Sequence, residues 1–210
     1  MTQVKLCGLT RPEDVQIANE LKPEFIGFVF WEKSKRNVSR ETAQKLKKAL
    51  LPDIKAVGVF VNEEVLVVAG LLNDGIIDVA QLHGTEDGEY IGRLRELAPG
   101  KEIIKAVQIK GKDDLLELKS KPSDEALLPD YYLLDSGTGT GRAFNWDLIK
   151  SIEIPRPFFL AGGLDPDNVS TAIDYVKPMA VDVSSGIETD GVKDPDKMRA
   201  FVGNVRKIEE

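Results

Sequence analysis

Short apolar runs alternate with amphipathic stretches of helical length along the chain, a period of two giving way each time to a period of 3.6. Runs rich in Val, Ile and Phe predict strands over 4–6, 25–30, 55–60, 78–82, 102–107, 131–135, 158–162 and 180–183. Between them lie charged segments carrying one apolar stripe. The stripe is plainest over 39–50, where Ala43, Leu46 and Leu50 share a face and the lysines take the other. Capping chemistry predicts where helices start: Thr10 with Glu13 at capping-box spacing, Asn62 ahead of two glutamates, and Asp165 and Asp194 each ahead of a proline suited to the first helical position. Strands alternating with helices call for a parallel sheet of α/β class. Eight repeats in 210 residues fit a closed (β/α)8 barrel, the TIM barrel, better than the alternative of an open doubly wound sheet. No Pro/Gly/Ser-rich linker separates comparable halves, and 118–130 reads as one long irregular connection before the sixth strand. Residues 1–210 are therefore read as one domain.

Composition narrows the function classes. With 42% apolar and 30% charged residues the chain has a globular profile. A net charge of −7 argues against nucleic acid as a partner, since that needs a basic face to displace counterions. One cysteine and one histidine support neither a disulfide scaffold nor a Cys/His metal site. No apolar run reaches the roughly 20 residues of a membrane span, and the N-terminal stretch lacks a basic segment followed by an apolar one. The expectation is a cytoplasmic protein that uses no membrane.

In a barrel, chemistry belongs at the C-terminal ends of the strands. There the sequence places Cys7-Gly8, the basic stretch Lys33, Lys35 and Arg36, Gln81-Leu82-His83, Asp135-Ser136-Gly137, Gly162-Gly163 and Ser184-Ser185-Gly186. A free cysteine is usually a small buried apolar residue, but at a strand end it can lose its proton and serve as nucleophile or base. Asp135 closes an apolar strand; it reads as a turn former, or as a carboxyl whose desolvation keeps a proton available for donation. The glycine-bearing loops after the seventh and eighth strands are where barrels hold phosphate, and together they point to a phosphorylated ligand. The segment "GTGTG" lacks the Lys-Ser/Thr of a Walker A loop. Arg36 offers a planar fork for a substrate carboxylate, and His83 reads equally as a structural imidazole or a ligand contact.

The segments "KLCGLT", "GFVFWEKSKRNVS", "VGVFVNE", "AQLHGTE", "LLDSGTGTGRAFNW", "FFLAGGLDPDNV" and "VDVSSGIETDGVKDPDKM", in this order, resemble the phosphoribosylanthranilate isomerase family of tryptophan biosynthesis. The likeness runs from near Val4 to Phe201. It implies a single-domain (β/α)8 barrel that catalyses an Amadori rearrangement without cofactor or metal. Within that likeness Cys7 is the general base, Asp135 the general acid, and Arg36 the partner of the anthranilate carboxylate. His83 and Asp182 are carried as substrate contacts, and Gly162, Gly163, Ser184, Ser185 and Gly186 as the phosphate cradle. One departure is Asn145, which stands where an aspartate is common and which can still cap the next helix.

Three other readings compete. A related isomerase of histidine biosynthesis acts on a two-phosphate substrate, but the first half of this chain offers a cysteine and a basic cluster in place of a second phosphate loop. A non-catalytic sugar-phosphate binder would not need Cys7 and Asp135. A Schiff-base aldolase would use Lys5, which shares a strand face with Cys7. The protein is expected to be a monomer or a homodimer.

Overall fold

The computed structural model describes residues 2–111, 113–114, 118, 124–135, 146–150 and 153–207. Strands β1 (Gln3–Cys7), β2 (Phe25–Val29), β3 (Lys55–Phe60), β4 (Val79–Leu82), β5 (Glu102–Gln108), β6 (Tyr131–Asp135), β7 (Phe158–Ala161) and β8 (Ala180–Val183) form a closed barrel in chain order. Every neighbouring pair is parallel, and β8 returns to β1 with Lys5 opposite Asp182. The predicted strands are thus all present, none of their ends displaced by more than one residue. Strand β7 stops at Ala161 because Gly162 (φ 91°) and Gly163 (φ 65°) turn the chain away through backbone angles that side chains resist.

Alternation along each strand makes two cores. Outward residues such as Leu6, Ile26, Phe28, Leu134 and Val181 pack beneath the helices. Inward residues Phe25, Val57, Val79, Ile104, Leu133, Phe159 and Ala180 fill the barrel. Continuing the inward series by two residues brings Gln81 from Val79, Asp135 from Leu133 and Asp182 from Ala180 to the barrel mouth, and Cys7 follows Lys5 in the same way.

Helices α1 (Pro12–Leu21), α2 (Arg40–Ala49), α3 (Val65–Asn73), α4 (Gly88–Leu97), α5 (Asp147–Lys150), α6 (Val169–Val176) and α7 (Pro195–Lys207) lie between and after the strands. In α2 the predicted stripe is observed: Ala43, Leu46 and Leu50 are buried, and Ser39 accepts from the Thr42 N–H. Three predicted caps are corrected. Thr10 and Glu13 do not box α1; Pro12 opens the helix, Arg11 holds the cap position, and Asp14 accepts from the N–H groups of Thr10 and Arg11, both at 3.0 Å. Asn62 (φ 54°) sends its carbonyl to the N–H and hydroxyl of Thr85, and α3 begins after Glu64. Asp165 accepts from the N–H groups of Asp167 and Asn168, both at 2.9 Å, closing a turn ahead of α6, whose cap position is Asn168. Asp194 caps α7 as predicted, accepting from the N–H groups of Asp196 and Lys197.

Of the connection over 118–130, residues 124–130 contain one 3-10 turn, Glu125–Leu127, with Asp124 accepting from the Ala126 N–H. The glycine-rich stretch 136–145, with the cap expected at Asn145, lies outside the described residues. No helix among the described residues is long and apolar enough to cross a membrane.

Candidate active site

A cavity of about 240 Å³ opens at the C-terminal ends of the strands. Cys7, Arg36, His83, Asp135, Gly162, Gly163, Asp182, Ser184 and Ser185 all line it, with Val29, Trp31, Val59 and Gln81 among their neighbours. A wider cleft, about 970 Å³, lies where β7 and β8 begin, at Thr2, Lys150, Arg156, Phe158 and Met179. It contains no thiol, imidazole or glycine loop, so the chemistry sits at the other end.

Cys7 ends β1 beside Gly27 of β2, its partner in register. A Cβ added at Gly27 would stand 2.6 Å from the sulfur, so the thiol occupies room that only glycine leaves. Beneath it Lys5 is fully buried and its Nζ lies 2.9 Å from Asp182 Oδ1. Burial pushes the Cys7 thiol above its ordinary value; Lys5 and, more weakly, Lys193 pull the other way, while Asp182 adds to the rise. Burial would also discharge Lys5, but Asp182 and Cys7 outweigh it and hold the ammonium above its usual range. A lysine kept protonated and walled off from the cavity is no Schiff-base nucleophile, which removes the aldolase reading.

Around the thiol runs a chain of charge that joins the predicted Arg36 to two residues the sequence did not single out, Glu188 and Lys193. After β8 and a 3-10 turn (Ser185–Ile187), strands β9 (Glu188–Thr189) and β10 (Val192–Lys193) form a hairpin. Its turn residues Asp190 and Gly191 both have positive φ, and an Asp-Gly pair is a strong hairpin signal in sequence. The hairpin carries Glu188, whose two oxygens accept from Arg36 Nε and Nη2 at 2.6 Å each. Lys193, almost wholly buried, donates to Glu188 Oε1 at 2.6 Å and to the Ser184 carbonyl at 2.9 Å. Burial lifts the Glu188 carboxyl, but Arg36 and Lys193 overcome it and leave it below the ordinary range. Burial likewise pushes Lys193 down, against the pull of Glu188. Arg36 also lies along Gly8 (φ 79°), where a Cβ would meet its Cδ at 2.5 Å. The guanidinium is therefore fixed at two of its nitrogens with the Nη1 edge left over.

Facing this group, Asp135 ends β6 and its carbonyl accepts from the Ile109 N–H at 2.8 Å. His83 Nε2 stands 3.6 Å from Asp135 Oδ2. Gln81, 1% exposed and placed at a strand end by the sequence but given no role there, lies with its Nε2 3.1 Å from His83 Nδ1. With the amide in that orientation it donates to Nδ1, which leaves the imidazole proton on Nε2, toward Asp135. Gln81 Oε1 has no hydrogen-bond partner among the described residues.

The loops after β7 and β8 complete the wall. Gly162, Gly163, Ser184 and Ser185 line the cavity; Gly186 does not. A Cβ on Gly186 would stand 2.0 Å from the Leu164 carbonyl oxygen, so this glycine lets the two loops touch.

A model of the N-(5'-phosphoribosyl)anthranilate isomerase family matches residues 4–204. The chain belongs to that family. It is 48% identical over 216 residues to the N-(5'-phosphoribosyl)anthranilate isomerase of Acetivibrio thermocellus, covering 100% of this chain and 98% of the relative. The crystal structure of phosphoribosyl anthranilate isomerase from Thermotoga maritima superposes with a TM-score of 0.85 at 37% identity, covering 99% of this chain and 100% of the other. Another family member, solved in complex with reduced 1-(o-carboxyphenylamino)-1-deoxyribulose 5-phosphate, gives a TM-score of 0.84 at 36% identity over 99% of this chain and 100% of its own.

Proposed function

We propose that this chain, as one phosphate-binding barrel domain over 1–210, isomerises N-(5-phosphoribosyl)anthranilate to 1-(o-carboxyphenylamino)-1-deoxyribulose 5-phosphate, with Asp135 as general acid and Cys7 as general base. The observation that carries the reading is the placement of Cys7 and Asp135, on strands three apart around the barrel, in the wall of one cavity that also holds the glycines after β7 and the serines after β8. A phosphate held on the loops after β7 and β8 puts the ribose ring between acid and base. Asp135 protonates the ring oxygen; the C1′–O bond breaks and the nitrogen lone pair forms the iminium. The cation acidifies the C2′ proton. Cys7 removes it, giving the enolamine, which tautomerises to the ketone. Arg36, steadied by Glu188, meets the anthranilate carboxylate, and His83 and Asp182 contact the sugar. A substrate with a second phosphate would need a matching loop in the first half, where the end of β3 runs instead into Val61 and Asn62.

The test is loss of anthranilate fluorescence when purified protein meets freshly made substrate. Cys7→Ala and Asp135→Asn are each expected to abolish turnover while folding and product binding persist. A wild-type rate in either variant rejects its assigned role.

A further inference from the structure

Lys5 is the one charged residue among the largest fully buried side chains of the described residues, and the reaction as written does not use it. A buried ion pair is weak evidence of a stabilising role, since apolar side chains of equal volume do as well or better. Yet this pair sits in a barrel interior otherwise filled by Phe25, Val57, Leu133 and Phe159. Asp182 faces Lys5 in register across the join of β1 and β8, at 2.9 Å. The same ammonium lies beneath the sulfur of Cys7, which follows two residues further along the same strand face, and its charge is felt there. Asp182 reaches the cavity wall and Lys5 does not.

We propose that Lys5 is a positioning residue for the rearrangement: its ammonium, anchored by Asp182 on the strand face that Cys7 shares, is the fixed positive charge beneath the base. The inference rests on the reading of Cys7 as the base. The charged and titratable groups around the sulfur are Lys5 on its own strand, Asp182 from β8, Lys193 from the β9–β10 hairpin, Arg36 from beyond β2, and His83 and Asp135 across the cavity. Lys193 and Arg36 are both bound to Glu188, whereas Lys5 is held by Asp182 on the sulfur's own strand face. Among the influences that favour the thiolate, Lys5 is the largest. Asp182 has two opposed effects: it fixes the ammonium and, as an anion, disfavours a second negative charge beside it.

Those opposite signs make the test. The chain has one cysteine, so thiolate ultraviolet absorbance and the pH dependence of iodoacetamide alkylation report on Cys7 alone. Both are followed in ligand-free wild type, Lys5→Met and Asp182→Asn, and kcat/KM is measured against pH for wild type and Lys5→Met. The titration midpoint is expected to rise by about one unit or more in Lys5→Met and to fall in Asp182→Asn. The acid limb of kcat/KM in Lys5→Met should move by the same amount, a tenfold loss per unit on that limb. A Lys5→Met protein that titrates like wild type overturns the proposal. Should Lys5→Met not fold, the double variant Lys5→Met/Asp182→Asn, which leaves no unpaired buried charge, is compared with Asp182→Asn, and a midpoint no higher than in that single variant overturns the proposal. Full turnover by Cys7→Ala would instead overturn the reading beneath the inference, and it is measured separately from the titrations.

Discussion

The Cys7 sulfur lies in a notch left by Gly27, where an added Cβ would stand 2.6 Å from Sγ and 3.1 Å from the Cys7 Cα. Backbone and sulfur cannot both yield without moving the proposed base relative to the sugar it would act on. Gly27→Ala is therefore expected to lower kcat by about 10-fold to 100-fold, with KM close to wild type, because misplacement by a fraction of an ångström spoils the line of proton transfer. Steady-state kinetics beside a thermal melt checks this, and an unchanged kcat in folded protein would show that the notch does not set the sulfur's position. On the proposed reading Glu188 acts on the substrate through Arg36, accepting from two of its nitrogens. Glu188→Gln turns one acceptor into a donor facing the guanidinium. The expected result is a KM roughly tenfold higher with kcat largely kept, the scale of one charge-assisted hydrogen bond lost. A fall in kcat alone would assign Glu188 a different part.

Loops, turns and caps show what a sequence reveals about elements. The strands were legible because alternation of apolar residues reports burial on two faces, and Asp135 was found because it continues one such series. The caps at Thr10, Asn62 and Asp165 were misplaced because spacing alone does not say which acceptor a neighbouring loop will recruit: Asn62 is used by Thr85, 23 residues away. Glu188 and Lys193 escaped notice since two-residue strands carry no periodicity, and buried charges in a hairpin read as solvated ones. Lys5 was seen, but sequence does not show whether an ammonium points into a cavity or beneath it. At this scale Gly186 is the sensitive joint. Gly186→Ala puts a methyl group 2.0 Å from the Leu164 carbonyl oxygen and must part the loops after β7 and β8. Weaker product binding, read by isothermal titration as at least a several-fold rise in Kd, is expected; unchanged affinity would detach these loops from phosphate binding. Asp194→Ala removes the cap of α7 and should cost about 1 kcal/mol in urea unfolding.

For the molecule as a whole, acid is the natural stress. The Glu86 carboxylate accepts from the N–H groups of Asn62 and Gly84 at 2.7 and 2.8 Å and from Lys105 Nζ at 2.9 Å, tying together the ends of β3, β4 and β5. Burial pushes Glu86 up, but Lys105 and the backbone donors hold it below the ordinary carboxylate range, as Arg36 and Lys193 do for Glu188. A carboxyl whose folded pKa is depressed gives stability that is full above its unfolded value, near 4.3, and lost as pH falls through the folded one. Urea midpoints should hold from pH 7 to about 5 and then decline, and Glu86→Gln should lower the neutral-pH stability by about 2 kcal/mol and flatten that decline. A variant as acid-sensitive as wild type would exclude Glu86 as a cause. The join between β1 and β8 has a consequence of its own. During synthesis the first strand leaves the ribosome long before the last, so the sulfur waits, hydrated and ordinary, for a carboxylate encoded 175 residues later than itself. A chain that ends before β8 lacks the partner of Lys5, so the ion pair beneath the sulfur forms only once that strand has docked.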